Sequence, residues 1–129
     1  MRVLLDTHIW LWRLLEPERL PARAAEVLAD PETEIHLSPI SVWETLVLAR
    51  KGRLGLEPNP EEWVRLALRR SQPIMVPLTH EIAIRAEALS GFETRDPADR
   101  FLVASALVGN LRMVTADRAM IGFSELQTV

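Results

Sequence analysis

The sequence predicts an α/β protein in which a parallel sheet is covered by helices on both faces. Two observations lead there. Apolar runs of strand length alternate with segments of helical period along the whole chain. The connections between successive runs are long enough to hold a helix, and such crossovers join parallel strands.

Residues 2–6, with the apolar run Val3-Leu4-Leu5, read as the first strand. A short helix around Ile9–Leu15 follows and stops at Pro17, which lacks the N–H that a helix needs. A second helix runs from Pro21 to about Ala29. Ile35-His36-Leu37-Ser38 is the next strand, and Ser41 to about Lys51 is a helix closed by Gly52. Residues 60–70 (PEEWVRLALRR) form another helix, with Pro60 suited to its first turn. Ile74–Pro77 is a strand, and Thr79–Leu89 a helix capped by Thr79. Residues 97–108 are a strongly apolar helix, Leu111–Thr115 a strand, and Leu126–Val129 a last short strand. There is no repeat, low-complexity segment or long linker, so residues 1–129 read as one domain.

At 48% hydrophobic and 26% charged residues, the composition is that of an ordinary globular protein with its own core. No apolar run approaches the ~20 residues that span a bilayer, and the first acid comes at position 6, too early for a signal-peptide core. The absence of cysteine excludes disulfides, thiolate metal sites and cysteine nucleophiles. A cytoplasmic protein without membrane contact is expected. The net charge of −3 argues against a protein that holds nucleic acid by bulk electrostatics, but not against an enzyme whose cations are local or recruited. Fourteen of the fifteen basic residues are arginine, a bias that a GC-rich genome explains as readily as phosphate binding does.

Open parallel sheets place their working residues outside the carboxyl ends of the strands. Asp6 ends the first strand, and Asp117 follows the Leu111–Thr115 strand in LRMVTADR. Glu44 lies in the first turn of the helix after the Ile35–Ser38 strand. Asp96 and Asp99 flank Pro97 at the start of a helix that should begin near the same edge. The chain has only five aspartates against thirteen glutamates. Four of the five are in this set, and the fifth, Asp30, falls in a plain Ala-Asp-Pro turn.

Each acid also has a local explanation. Ser41 and Glu44 have capping-box spacing. In DPADR, Asp96 suits an N-cap, Pro97 the first helical position and Asp99 the third, where the helix dipole favours an anion. Asp6 and Asp117 suit turns. Taken together these explanations weaken, because independent caps need not converge on one edge. Two unit charges ~4 Å apart repel by roughly 4 kcal/mol at an effective dielectric near 20, so clustered carboxylates call for a cation among them. Hard oxygen donors without His or Cys suit Mg2+ or Mn2+, and such a site hydrolyses phosphodiesters.

Four stretches carry a family resemblance: LLDTHIWLW, LSPISVWE with its helical glutamate, DPADRFLVASAL, and VTADR. Together they cover the chain, and it resembles the PIN-domain ribonucleases, in particular the VapC-type toxins of bacterial toxin–antitoxin pairs. The resemblance implies a three-layer α/β/α sandwich with a central, mostly parallel sheet, and an Mg2+- or Mn2+-dependent endoribonuclease. By the family pattern Asp6 and Asp99 match the main metal ligands, Glu44 the helical acid that completes the site, and Asp117 the fourth acid. Asp99 is preferred to Asp96 because three residues separate it from the Val103-Ala104 pair, which the family usually shows as Ile-Ala. Asp96 is assigned to capping. Ala98 departs from the pattern, since related toxins often carry Phe there.

Thr7 and Thr115 are placed to reach a metal-bound water or a phosphate, or to cap strand ends. Arg100 and Arg118 each follow a site acid, as candidates for RNA phosphate or an antitoxin carboxylate, or for a local ion pair. His80 reads as a surface residue, and His8 is left without a role. The basic cluster Arg50-Lys51-Gly52-Arg53 suits a helix C-terminus. Trp10 and Trp12 lie two apart and cannot share a helical face. Either they pack in two directions or, with Trp43, they form a partner surface. The resemblance implies a cognate VapB-like antitoxin that lays a helix in a groove there, and a homodimer is expected.

Other folds that end a first strand with Asp fit less well. A haloacid-dehalogenase-type phosphatase needs a second Asp where His8 stands. A receiver domain needs an Asp after IMVPLT and a late lysine, but Lys51 is the only lysine. Neither GxGxxG nor GxxxxGK occurs. The main competing expectation is a non-catalytic PIN-like module that binds RNA or protein, and a DNA nuclease comes third.

Overall fold

The computed structural model describes residues 1–129. Four strands, β1 (Arg2–Leu5), β2 (Glu34–Leu37), β3 (Ile74–Met75) and β4 (Arg112–Val114), form one sheet in the order β3-β2-β1-β4. Every pairing is parallel, so the sheet is wholly and not merely mostly parallel. Leu4 of β1 stands opposite His36 on one side and Met113 on the other.

The strand alternation divides the core into the two layers of a sandwich. Leu4 and Met113 face one way and pack with Leu102, Val103 and Ala106. Val3, Leu5, Leu37 and Val114 face the other way and pack with Ile9, Trp10, Val27 and Leu28. Val3, Leu4 and Leu5 are fully buried, as a central strand covered on both faces requires. On the second face lie α1 (Thr7–Leu15) and α2 (Ala22–Ala29), with α4 (Pro60–Ser71) contributing Trp63, Ala67 and Leu68. On the first lies α6 (Pro97–Gly109), backed by α5 (His80–Ala88) through Ile82, Ala86 and Ala104. Helix α3 (Pro39–Arg50) borders both layers, with Ile40 on one and Val42 and Leu48 on the other.

The helix ends follow local chemistry. Asn59 accepts the Glu62 N–H and Thr79 the Ile82 N–H, and Pro39, Pro60 and Pro97 occupy first-turn positions. Gly52, at φ 75°, closes α3: its N–H bonds Ala49 and that of Arg53 bonds Leu48, the paired pattern that a left-handed residue completes.

Several boundaries differ from the expectations. Helix α1 begins at Thr7 and not Ile9, because Asp6 leaves the strand and caps it. Strand β3 has two residues where four were expected, hemmed by Pro73 and Pro77, which cannot donate to a ladder. Residues 126–129 form only an isolated bridge, Met113 to Thr128, beside β4. A 3-10 turn at Pro17–Arg19 and a short helix, α7 (Arg118–Ile121), were not foreseen. No helix is long and apolar enough to cross a membrane.

Candidate active site

Because all four strands run the same way, the turns after β1, β2 and β4 open at one edge of the sheet. Asp6 is the first residue past β1 and is buried. Its Oδ1 accepts the Thr7 N–H at 2.8 Å, and its Oδ2 accepts the Thr115 hydroxyl at 2.7 Å. The Thr115 oxygen in turn accepts the Asp117 N–H at 2.9 Å. One hydroxyl thus joins two acids that lie more than a hundred residues apart. Asp117 caps α7, its Oδ1 accepting the Ala119 and Met120 N–H groups at 2.8 and 3.2 Å.

Glu44 reaches this edge from α3, but not in the manner expected. Ser38 is the cap of α3, accepting the Ile40 N–H at 3.0 Å with Pro39 at the first position. Glu44 therefore lies beyond the first turn, and Ser41 is not its capping partner. Ser41 is wholly buried, with its hydroxyl 2.9 Å from that of Thr7. The Thr7 hydroxyl also hydrogen-bonds Glu44 Oε1. Each hydroxyl has a single proton, so Ser41 donating to Thr7 and Thr7 donating to Glu44 satisfies all three groups. Neither threonine is free to act alone, since both are buried and occupied by the acids.

Asp96 caps α6, its Oδ1 accepting the Ala98 N–H at 3.0 Å, and Asp99 follows in the first turn. Burial, then repulsion from Asp96, Asp6, Asp117 and Glu44 in that order, pushes the Asp99 carboxyl up to about 7. Burial also raises Glu44; the Thr7 hydrogen bond opposes this, and Asp6 and Asp96 add to it. The other four acids thus all lie within electrostatic reach of Asp99.

The raised Asp99 has a consequence for stability. Below about pH 4 it is protonated in both the folded and the unfolded chain and has no effect. Between there and about 7 only the unfolded chain has released the proton, so folding weakens as pH rises, and above about 7 the full penalty stands. In metal-free protein, Asp99→Asn is therefore expected to raise the melting temperature at pH 8 and to leave it unchanged at pH 4. Parallel melting curves against pH for the two proteins would remove Asp99 as the cause.

No arginine or lysine forms an ion pair with any of the five acids; the one basic ring in contact with them is His8, beside Asp6. As the side chains lie, no three Asp, Glu or His groups enclose a point that a metal ion could occupy. An all-oxygen donor set of this charge fits a hard divalent cation such as Mg2+ or Mn2+.

Other candidates fall elsewhere. Arg100, expected as a phosphate or antitoxin contact, is buried, and its guanidinium donates to the carbonyls of Ala86, Leu89, Phe92 and Thr94 at 3.0–3.3 Å. It staples the segment before Asp96 onto α6 and has no reach to substrate. Arg118 is exposed beside Asp117, and His80 is on the surface beside Glu81. Trp10 is a core residue packed edge-on against Trp63, so it offers nothing to a partner. Trp12 lies against His8 and carries the Arg19 guanidinium 4.6 Å from its ring. Trp43 is 58% exposed and lines an apolar groove of about 500 Å³ with Ile40, Leu78 and Phe101. Ser41 and His8 have contacts here that the sequence did not reveal.

The PIN domain family model matches residues 3–126, and the chain, with its four-stranded parallel sheet inside helices, belongs to the PIN-domain family. Within that family it is similar to Ribonuclease VapC22 of Mycobacterium tuberculosis, at 32% identity over 118 residues, 92% of this chain and 88% of that one. Two solved structures have the same fold at low identity. The VapBC2 complex of Rickettsia felis, bound to a promoter DNA fragment, superposes at TM-score 0.75 and 16% identity, covering 100% of this chain and 98% of that one. A toxin–antitoxin complex of Klebsiella pneumoniae superposes at 0.70 and 22%, covering 98% and 95%.

Proposed function

We propose that this chain is a metal-dependent endoribonuclease and the VapC-type toxin of a toxin–antitoxin pair. The observation that carries the reading is the set of carboxylates without a cationic partner that α1, α3 and α7 bring towards Asp96 and Asp99 at the head of α6. The 32% identity to a protein named a ribonuclease supports RNA as the substrate. A VapB-like antitoxin, a homodimer and a cytoplasmic location follow from the same reading.

Asp6 and Asp99 would hold the Mg2+ or Mn2+ ion, with Glu44 completing the site and Asp117 as the fourth acid. When bound, such an ion lowers the pKa of a water and neutralises charge on the phosphate under attack. The chain's own groups prepare that position. Thr7 orients the Glu44 carboxylate, and Thr115 holds Asp6 and the Asp117 backbone together. The N-termini of α1, α6 and α7 carry Asp6, Asp96 and Asp117 as caps, so helix dipoles offset part of the repulsion. Asp99, which holds a proton near neutrality, must release it to ligate, so metal binding is expected to liberate protons.

The test is purified chain on total RNA with Mn2+, Mg2+ or EDTA. Fragments that form only with metal, resist competition by DNA and cease on addition of the cognate antitoxin are expected. Intact RNA under every metal condition would overturn the reading.

A further inference from the structure

His8 sits in the first turn of α1, and its ring reaches across the carboxyl edge to the turn after β4. Its Nε2 lies 3.0 Å from the Ala116 backbone nitrogen and accepts that N–H. An accepting Nε2 carries no proton, so the neutral ring has its proton on Nδ1. Nδ1 lies 3.5 Å from Asp6 Oδ2, a favourable electrostatic contact though too long for a strong hydrogen bond. Trp12 backs the imidazole, with ring centroids 4.8 Å apart and planes at 56°. The turn being held is Thr115-Ala116-Asp117. Thr115 pins it to Asp6 at one residue, and His8 pins it at the next. Tethers at two successive residues hold the turn against pivoting about either one.

We propose that His8 is a positioning residue: through the Ala116 N–H it ties the turn bearing Asp117 to the Asp6 end of β1, and so sets the spacing of these two acids for a divalent cation. This inference rests on the nuclease reading above. It assigns the work to Nε2 as an acceptor, which separates three substitutions. His8→Phe keeps a ring on Trp12 but removes both polar atoms. His8→Asn keeps a polar atom near Nδ1 but does not extend to Ala116. His8→Gln supplies an oxygen at about the position of Nε2.

The experiment measures Mn2+ affinity by titration calorimetry, RNA cleavage rates, and metal-free melting temperature in the four proteins. His8→Phe and His8→Asn are expected to weaken Mn2+ binding about tenfold and lower kcat with little change in KM, as lost support behind metal ligands does. His8→Gln should recover most of both losses, with melting temperatures close to wild type throughout. Wild-type Mn2+ affinity and kcat in His8→Phe would overturn the proposal, as would a His8→Gln protein no better than His8→Phe. A wild-type chain that binds no Mn2+ would overturn the nuclease reading instead, so the two failures are distinguishable.

Discussion

Asp99→Asn is expected to lower metal-dependent RNA cleavage by about 10³-fold or more while leaving the chain folded. The size follows from the lost anionic ligand: a bound cation contributes several kcal/mol to the transition state, and ~4 kcal/mol is roughly three decades of rate. Asparagine has the same shape, and it relieves the burial and repulsion that push Asp99 up to about 7, so the fold should not suffer. Asp6→Asn is expected to be equally inactive. Its amide oxygen can still take the Thr7 N–H or the Thr115 hydroxyl, so the capped start of α1 survives. Asp96→Asn is the contrast: Asp96 is exposed and caps α6, asparagine caps equally well, and most activity should remain. The assay compares kcat for one RNA across the three variants, with melting temperatures as the control for folding. An active Asp99→Asn protein would remove this residue from the site.

The second large effect is on stability. Arg100→Met fills much of the same volume but leaves the carbonyls of Ala86, Leu89, Phe92 and Thr94 without their shared donor. Each buried polar group left unpaired costs on the order of 1 kcal/mol or more, so a loss of about 3 kcal/mol is expected after part is regained by no longer burying a charge. For a domain whose total stability is about 5–15 kcal/mol, that is a large share. It should lower the melting temperature by about 10 °C. Arg100→Lys should fall between, since an ammonium offers fewer donors without the planar fork. Because the stapled segment leads into Asp96 and α6, cleavage should drop as well. A Met variant as stable as wild type would mean that water or local rearrangement satisfies these carbonyls.

The candidate acids were legible in the sequence because aspartate is scarce in this chain and four of the five copies stand at helix starts, Asp6 and Asp117 after a strand and Asp96 and Asp99 at the head of α6. Parallel topology carries the turns after β1 and β4 to one edge, and the α5–α6 connection brings the head of α6 within electrostatic reach of Asp6 and Asp117. Asp6, Asp96 and Asp117 are caps, and each also bears on Asp99. Glu44 was placed on the right helix with the wrong start. The Ser-Pro pair at 38–39 held the true cap signal, while Ser41 and Glu44 mimicked one. What the sequence hid was mostly long-range. The partners of Arg100 are main-chain carbonyls, which leave no side-chain pattern to read. His8 reaches a backbone N–H at Ala116, a contact that no local spacing announces. Helix α7 has four residues, too few to show a helical period. Trp10 and Trp12 did diverge, as two positions ~200° apart on a helix must, but which of them is core depended on α4 bringing up Trp63.

The central claim is that Asp6, Glu44, Asp99 and Asp117 act together on one divalent cation. The most direct measurement is the melting temperature at pH 7.5 with and without Mn2+, for wild type beside Asp6→Asn. A ligand at 100 times its Kd stabilises the folded state by about 2.7 kcal/mol, so wild type should gain several degrees while Asp6→Asn hardly moves. Equal shifts in the two proteins, or none in either, would contradict the claim.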